Sequence, residues 1–148
     1  MEPSRWGIIY CPKDGVRHIH KEWEAIRSYL TEKGVLYDFV QSEGPKSVER
    51  LAAMLASNGY TTIVIVGGDA ALNRALNGVL SQGEEVRRSV AFGVIPNGWG
   101  NDFAHFWGFE EDNYKQTIDW LIKRRIRKVD VGYCVCLLYT SPSPRDTE

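Results

Sequence analysis

The sequence predicts an α/β fold, an open and mostly parallel sheet with helices on both faces. Three observations carry that expectation. Short β-branched apolar runs alternate with segments of helical periodicity, linked by short turns. One run, Ile63 to Val66, is apolar without interruption, as suits a strand buried on both faces of a parallel sheet. Two of the runs end in glycines mixed with carboxylate or amide side chains: Gly67-Gly68-Asp69, and Pro96-Asn97-Gly98-Trp99-Gly100-Asn101-Asp102. Ligands of open parallel sheets collect at the carboxyl ends of strands, so two such turns can form one crevice.

The elements follow in order. Trp6 to Cys11 is the first strand, closed by the turn signal Pro12-Lys13-Asp14-Gly15. Ile19, Trp23, Ile26 and Leu30 mark one face of a helix ending at Lys33-Gly34. Val35 to Val40 is the second strand. Gly44-Pro45 opens a helix with Val48, Leu51, Ala52 and Leu55 inward, and Asn58-Gly59 suits its C-cap. The third strand runs into Gly67-Gly68-Asp69, and Leu72, Ala75, Leu76 and Val79 place a helix over Asp69 to Leu80. Ser81 to Ser89 reads as a polar loop, and a fourth strand from Val90 leads into the second glycine turn. Beyond it, Phe103, Phe106, Trp107 and Phe109 form an aromatic cluster, with core packing first and an acyl-chain or membrane contact second. Asp112-Asn113 suits the cap of a helix whose Tyr114, Ile118, Leu121 and Ile122 share a face. It finishes in Lys123-Arg124-Arg125, with Arg127-Lys128 beyond. These cations complement the helix dipole, with attraction to an anionic lipid surface as the alternative. Val129 to Cys134 is a fifth strand. Crossovers between parallel strands are right-handed, which puts helices on both faces.

The totals narrow the class. A chain of 148 residues is one domain by length, and 43% hydrophobic with 25% charged residues is ordinary for a soluble globular protein. A net charge of -1 gives no overall basic field for nucleic acid. No apolar segment approaches the ~20 residues of a membrane span, and the N-terminus lacks the layout of a signal peptide. Cys11, Cys134 and Cys136 make no disulfide framework, so a reducing cytoplasm is the expected compartment. Cys11 reads as a small buried thiol at a strand end rather than a reactive one. His18 and His20 form an H-x-H pair with no accompanying ligand set, and solvated helix-start residues is the stronger reading.

Strand, glycine turn and helix together make a phosphate-binding arrangement. Residues without side chains let backbone N–H groups approach an anion, and the helix N-terminus adds a favourable dipole. No G-x-x-x-x-G-K-[ST] and no G-x-G-x-x-G occurs, so P-loop and Rossmann dinucleotide readings lose support. The two glycine turns together resemble the catalytic region of the diacylglycerol kinase family of lipid kinases, which shares its nucleotide fold with NAD kinases and sphingosine kinases. The family's Gly-Gly-Asp-Gly-Thr turn matches Gly67 to Ala71, and its Pro-x-Gly-Thr-Gly-Asn-Asp-Phe-Ala turn matches Pro96 to Ala104. The family's first strand ends in Asn-Pro and a Ser-Gly-like turn. Pro12 and Gly15 match, with Cys11 at the Asn and Asp14 at the Ser. Ser42 stands near where the family carries a nucleotide-contacting threonine, with an ordinary turn residue as the equal alternative.

The resemblance implies an NAD kinase/diacylglycerol kinase-like nucleotide-binding domain. It implies ATP and Mg²⁺ as cofactors, a diacylglycerol-like lipid as substrate, and a place in the cytoplasm at the inner membrane surface. Gly67 and Gly68 would admit the nucleotide phosphates, and Asn73 would hydrogen-bond within the site. Asp69 would act through Mg²⁺ and water, or as base on the acceptor hydroxyl. Gly98, Trp99, Gly100, Asn101 and Asp102 would form the opposing wall, with Asp102 a second carboxylate near the metal. Helix capping is the alternative role of Asn101 and Asp102.

The chain departs from the family pattern at Ala70 (glycine), Ala71 (a hydroxyl residue), Arg74 (Glu) and Trp99 (Thr). Ala70 is expected to remove access to positive φ and to crowd a phosphate. A non-catalytic nucleotide- or ligand-binding module therefore stays open beside the kinase, with NAD kinase behind both. Residues 1–135 read as the N-terminal nucleotide-binding domain. The stretch Cys136 to Asp146 resembles the in-frame translation of a sequencing adapter, so 136–148 is expected to be a non-native tail. On that reading a β-rich second domain, carrying a proposed general base, is missing and the fragment is inactive.

Overall fold

The computed structural model describes residues 5–11, 19–43, 45–97 and 113–123. Four strands, β1 (Trp6–Tyr10), β2 (Tyr37–Gln41), β3 (Thr62–Gly67) and β4 (Ala91–Pro96), form one parallel sheet in the order β2-β1-β3-β4. Helices α1 (Ile19–Glu32), α2 (Pro45–Ser57), α3 (Asp69–Leu80), α4 (Glu84–Ser89) and α5 (Tyr114–Ile122) complete the described elements. The expected open parallel α/β architecture is what forms.

The strand order explains the two faces. The chain steps outward from β1 to β2, then returns past β1 to β3 and continues to β4, reversing direction once. Right-handed crossovers on either side of a reversal must lie on opposite faces. Accordingly Trp6, Ile8 and Tyr10 of β1 and Val64 and Val66 of β3 pack with Trp23, Ile26 and Leu30 of α1 and Ile118 of α5. The alternate residues Ile9, Ile63 and Ile65 pack with Val48, Leu51, Ala52 and Leu55 of α2 and Ala75 and Val79 of α3. All six residues of β3 are buried, as the uninterrupted run Ile63 to Val66 requires.

Both helix-to-strand turns on the β1–β3 side close the same way. Gly34 (φ 75°) and Gly59 (φ 93°) take the left-handed conformation that glycine adopts without Cβ cost. Val35 N–H then reaches the Leu30 carbonyl and Tyr60 N–H the Leu55 carbonyl, at 3.0 and 3.2 Å, completing Schellman caps.

Four expectations are corrected. The polar stretch Ser81 to Ser89 is a loop only as far as Gly83, and Glu84–Ser89 is helical. Glu84 and Glu85 sit in its first turn and Arg87 and Arg88 in its last, complementing the helix dipole, and Arg88 reaches Glu84 at 2.7 Å. The second strand starts at Tyr37 rather than Val35, because Val35 is spent on the α1 cap and Leu36 offers only its carbonyl, to Trp6 N–H at 2.9 Å. Asn113 occupies the N-cap position of α5 without capping it: its amide instead donates to Gln116 Oε1 at 2.9 Å. On α5, Ile118 is buried and Leu121 packs inward, but Ile122 is exposed and Thr117 takes a buried position. The expected fifth strand Val129 to Cys134, the cluster at Phe103, Phe106, Trp107 and Phe109, the basic residues from Arg124 and the 136–148 tail lie outside the described residues.

Candidate functional site

The backbone ladder runs one residue past the ends of the strands. Ser42 N–H donates to the Tyr10 carbonyl, Cys11 N–H to Val66 and Asn97 N–H to Gly67, each at 2.9 Å. Ser42, Cys11, Gly67-Gly68 and Asn97 therefore stand side by side across the carboxyl edge of the sheet. The reversal of strand order falls between β1 and β3, at Cys11 and Gly67, where open α/β sheets form their ligand crevice.

α3 starts at this reversal. Gly68 is its N-cap, in extended conformation (φ -114°, ψ -166°), and its carbonyl accepts the Leu72 N–H at 3.0 Å. Having no side chain, Gly68 supplies no capping oxygen, so the first turn of α3 presents its N–H groups without a side-chain cap. Asp69 opens the helix, half-buried, with Asn73 four residues later on the same face. Ala70 is exposed within that first turn. It lies in helical backbone, so the expected cost of losing positive φ does not arise there.

Gly67 is held by packing. A Cβ there would meet the Ala71 Cβ at 3.1 Å and the Cys11 Cβ at 3.2 Å. The turn is thus tight because three small positions from β1, β3 and α3 interlock. Cys11 belongs to this floor, and burial pushes its thiol up to about 12, so it stays protonated and unreactive, in line with the sequence reading. Ser42 is buried, with Oγ 2.9 Å from Ser47 Oγ, and Ser47 Oγ also accepts the Glu43 N–H at 3.1 Å. The hydroxyl at this position ties the β2 end to the start of α2.

Of the residues singled out from sequence, Ser42, Gly67, Gly68, Asp69, Ala70, Ala71 and Asn73 share this edge. Pro12, Gly15, Gly98, Trp99, Gly100, Asn101 and Asp102 lie outside the described residues. Among the described residues no group of three or more His, Cys, Asp and Glu converges. The sequence reading passed over Asn97, a polar residue that is 4% exposed at the end of β4. Its signal was an amide directly after the apolar run ending at Pro96.

The opposite edge of the sheet is a structural staple. Arg5 grips Asp38 through Nε–Oδ2 and NH2–Oδ1 contacts of 3.0 Å each, and the Tyr60 hydroxyl also donates to Asp38. These donors, Arg5 first, hold the Asp38 carboxyl below its ordinary value.

An open, doubly wound α/β domain with an uncapped helix N-terminus at its switch point belongs to the class that receives anionic ligands at that point. Within that class the assignment is specific. The family model for the diacylglycerol kinase catalytic domain matches residues 5–134, and the chain belongs to that family. It is 27% identical over 129 residues to a diacylglycerol kinase of Staphylococcus saprophyticus, covering 87% of this chain and 41% of that one. It is 24% identical over 105 residues to sphingosine kinase B of Dictyostelium discoideum, covering 70% of this chain and 14% of the relative. The fold matches a crystal structure of a putative diacylglycerol kinase from Bacillus anthracis with a TM-score of 0.73 at 22% identity, over 86% of this chain and 45% of that one. The chain thus spans less than half the length of these relatives.

Proposed function

We propose that the chain is the nucleotide-binding part of an ATP-dependent lipid kinase, which transfers the γ-phosphoryl group of ATP to the hydroxyl of a diacylglycerol-like lipid. The observation that carries this reading is the alignment of Ser42, Cys11, Gly67-Gly68 and Asn97 on one edge, with the N-terminus of α3 at the switch point. Phosphoryl transfer depends chiefly on positioning and charge neutralisation. In this reading the first-turn N–H groups of α3 hold phosphate oxygens, with the helix dipole favouring their charge. The small floor of Cys11, Gly67 and Ala71 lets them come close. By the resemblance, Gly98, Trp99, Gly100 and Asn101 are proposed for the opposing wall and Pro12 and Gly15 for its border, with Ser42 and Asn73 on the described edge.

Asp69 fits a magnesium ion: it offers a hard carboxylate oxygen beside the phosphate-binding N–H groups, and Mg²⁺ uses one or two carboxylates together with phosphate and water. Asp102 is the proposed second carboxylate. When bound, the ion supplies neutralisation of phosphate charge. The general base belongs to a β-rich domain in the intact protein, and the lipid is met at the inner membrane surface. No helix among the described residues is long and apolar enough to cross a membrane.

A non-catalytic binding module is the second reading. It is favoured by Ala71, which fills space against Gly67 where the family carries a hydroxyl. The test is to recover the genomic sequence downstream of Val135 and assay the intact protein with ATP, Mg²⁺ and a panel of diacylglycerols. Phosphorylated lipid supports the kinase. A complete second domain without transfer to any lipid favours the binding module.

A further inference from the structure

Among the described residues the order β2-β1-β3-β4 leaves β2 and β4 at the two ends of the sheet. The last four residues of β4 are buried, whereas no residue of β2 is. Phe39, at the middle of β2, is 39% exposed, and Leu36, just before the strand, is 44% exposed. β2 carries none of the devices that keep an edge strand from pairing: it has no proline, no lysine and a register with β1 unbroken by a bulge. Its one charged residue, Asp38, is matched by Arg5 at 3.0 Å.

The hydrogen-bond pattern fixes which groups of β2 face outward. The Leu36 carbonyl accepts the Trp6 N–H, and Ser42 N–H donates to the Tyr10 carbonyl, each at 2.9 Å. Along a strand the residues bonded to one neighbour alternate, so Asp38 and Val40 share this inward set. Tyr37, Phe39 and Gln41 then turn their N–H and C=O groups away from β1, and Phe39 is the middle one of the three. A two-fold axis at Phe39 sets an antiparallel copy of β2 alongside. It pairs Phe39 with Phe39 of the partner subunit and Tyr37 with Gln41 of the partner subunit. Every outward donor then meets an outward acceptor, as in the hydrogen-bonded pairs of an antiparallel ladder. Asp38 falls opposite Val40 of the partner subunit, so no like charges stand directly opposite each other. The Phe39 ring is already fixed, edge-on to Trp23 at 5.3 Å with the Arg27 guanidinium 4.7 Å over it, so little freedom is lost when it is covered.

We infer that β2 is a homodimer interface, through which two copies of this chain join their sheets into one by antiparallel β2–β2 pairing centred on Phe39. A second copy is the occupant because the outward groups are symmetric about Phe39 and pair with themselves, leaving none over, as an isologous two-fold contact requires. The inference is independent of the nucleotide reading, whose crevice lies at the carboxyl ends of β1 and β3 and stays open in such a dimer.

The experiment combines sedimentation of the full chain over a range of concentrations with residue-resolved amide exchange at the same concentrations. The expected result is a monomer–dimer equilibrium in which the amides of Tyr37, Phe39 and Gln41 exchange more slowly as dimer forms. Above the dissociation constant the monomer fraction falls with the square root of concentration, so a hundred-fold rise slows these three amides about ten-fold. The amides of Asp38, Val40 and Ser42, bonded inward to β1, should not share that dependence. Phe39→Lys places two cations opposite each other and should sediment as a monomer with the circular dichroism of the folded chain. Ile122→Lys, which alters an exposed apolar residue of α5, should still dimerise. A monomer at every concentration overturns the inference. So does a dimer that survives Phe39→Lys, or one that both variants abolish. A dimer in which the three outward amides keep their monomer rates also overturns it, because the contact then lies elsewhere; this readout stands on the unsubstituted chain even if Phe39→Lys fails to fold.

Discussion

Gly78→Ala is expected to destabilise the chain although alanine is the better helix former. Gly78 is buried in α3 where that helix packs along α2. A Cβ there would press into the Glu49 carbonyl oxygen and lie 3.1 Å from the Glu49 carbonyl carbon and 3.2 Å from Ala53 N. These are backbone atoms of a packed helix and cannot swing aside, so α2 and α3 must separate. Overpacking of this kind costs about 3 kcal/mol at the upper end of its range. Exchanging glycine for alanine inside a helix returns about 1 kcal/mol. The net loss is about 2 kcal/mol, which for a chain of this size lowers the melting temperature by roughly 4–8 °C. Thermal unfolding followed by circular dichroism reads this directly. A melting temperature equal to or above that of the unsubstituted chain would show that helix propensity outweighs the crossing, and the tight α2–α3 contact would have to be abandoned.

Three further outcomes follow from the same geometry. Cys11 should resist iodoacetamide at pH 8 in a Cys134→Ser, Cys136→Ser background and react once unfolded, since its thiol is pushed up to about 12; rapid labelling of the folded chain would contradict its place in the floor. The folded-state pKa of Asp38 is depressed, so the staple's contribution is present above the unfolded value of about 3.9 and is lost as pH falls through the folded one. Asp38→Asn should therefore lower the melting temperature at pH 7 and lower it less at pH 3, and a pH-independent difference would refute the charge-based role. Gly93→Val should loosen α5, because even a Cβ at Gly93 comes within 2.7 Å of Leu121, and faster backbone amide exchange across Tyr114–Ile122 would register it.

Much of the fold was legible because each signal was local. Periodicity placed the core faces of α1, α2 and α3, and the β-branched run placed β3 at the centre. Gly59 was readable as a C-cap because only a positive φ ends that helix so abruptly. What escaped depended on partners distant in sequence. Ser81 to Ser89 has no apolar periodicity, and its helix rests on dipole complementarity and one ion pair. Ile122 fits a helical stripe by spacing, yet the buried place on α5 goes to Thr117. At the site, the glycine turn announced itself in sequence. That Gly67 is required by Cys11 and Ala71, and that Asn97 is bonded beside it, emerges only when the strands are set side by side.

The central claim is that the switch point at Gly67-Gly68-Asp69 receives nucleotide phosphates with a metal ion at Asp69. The measurement that meets it most directly is calorimetric titration of the chain and of Asp69→Ala with ATP and Mg²⁺, with the melting temperature of each recorded. We expect saturable binding by the unsubstituted chain, none by Asp69→Ala, and the same melting temperature for both. Unchanged ATP affinity in Asp69→Ala would contradict the role of Asp69 and move the phosphate site elsewhere on the sheet.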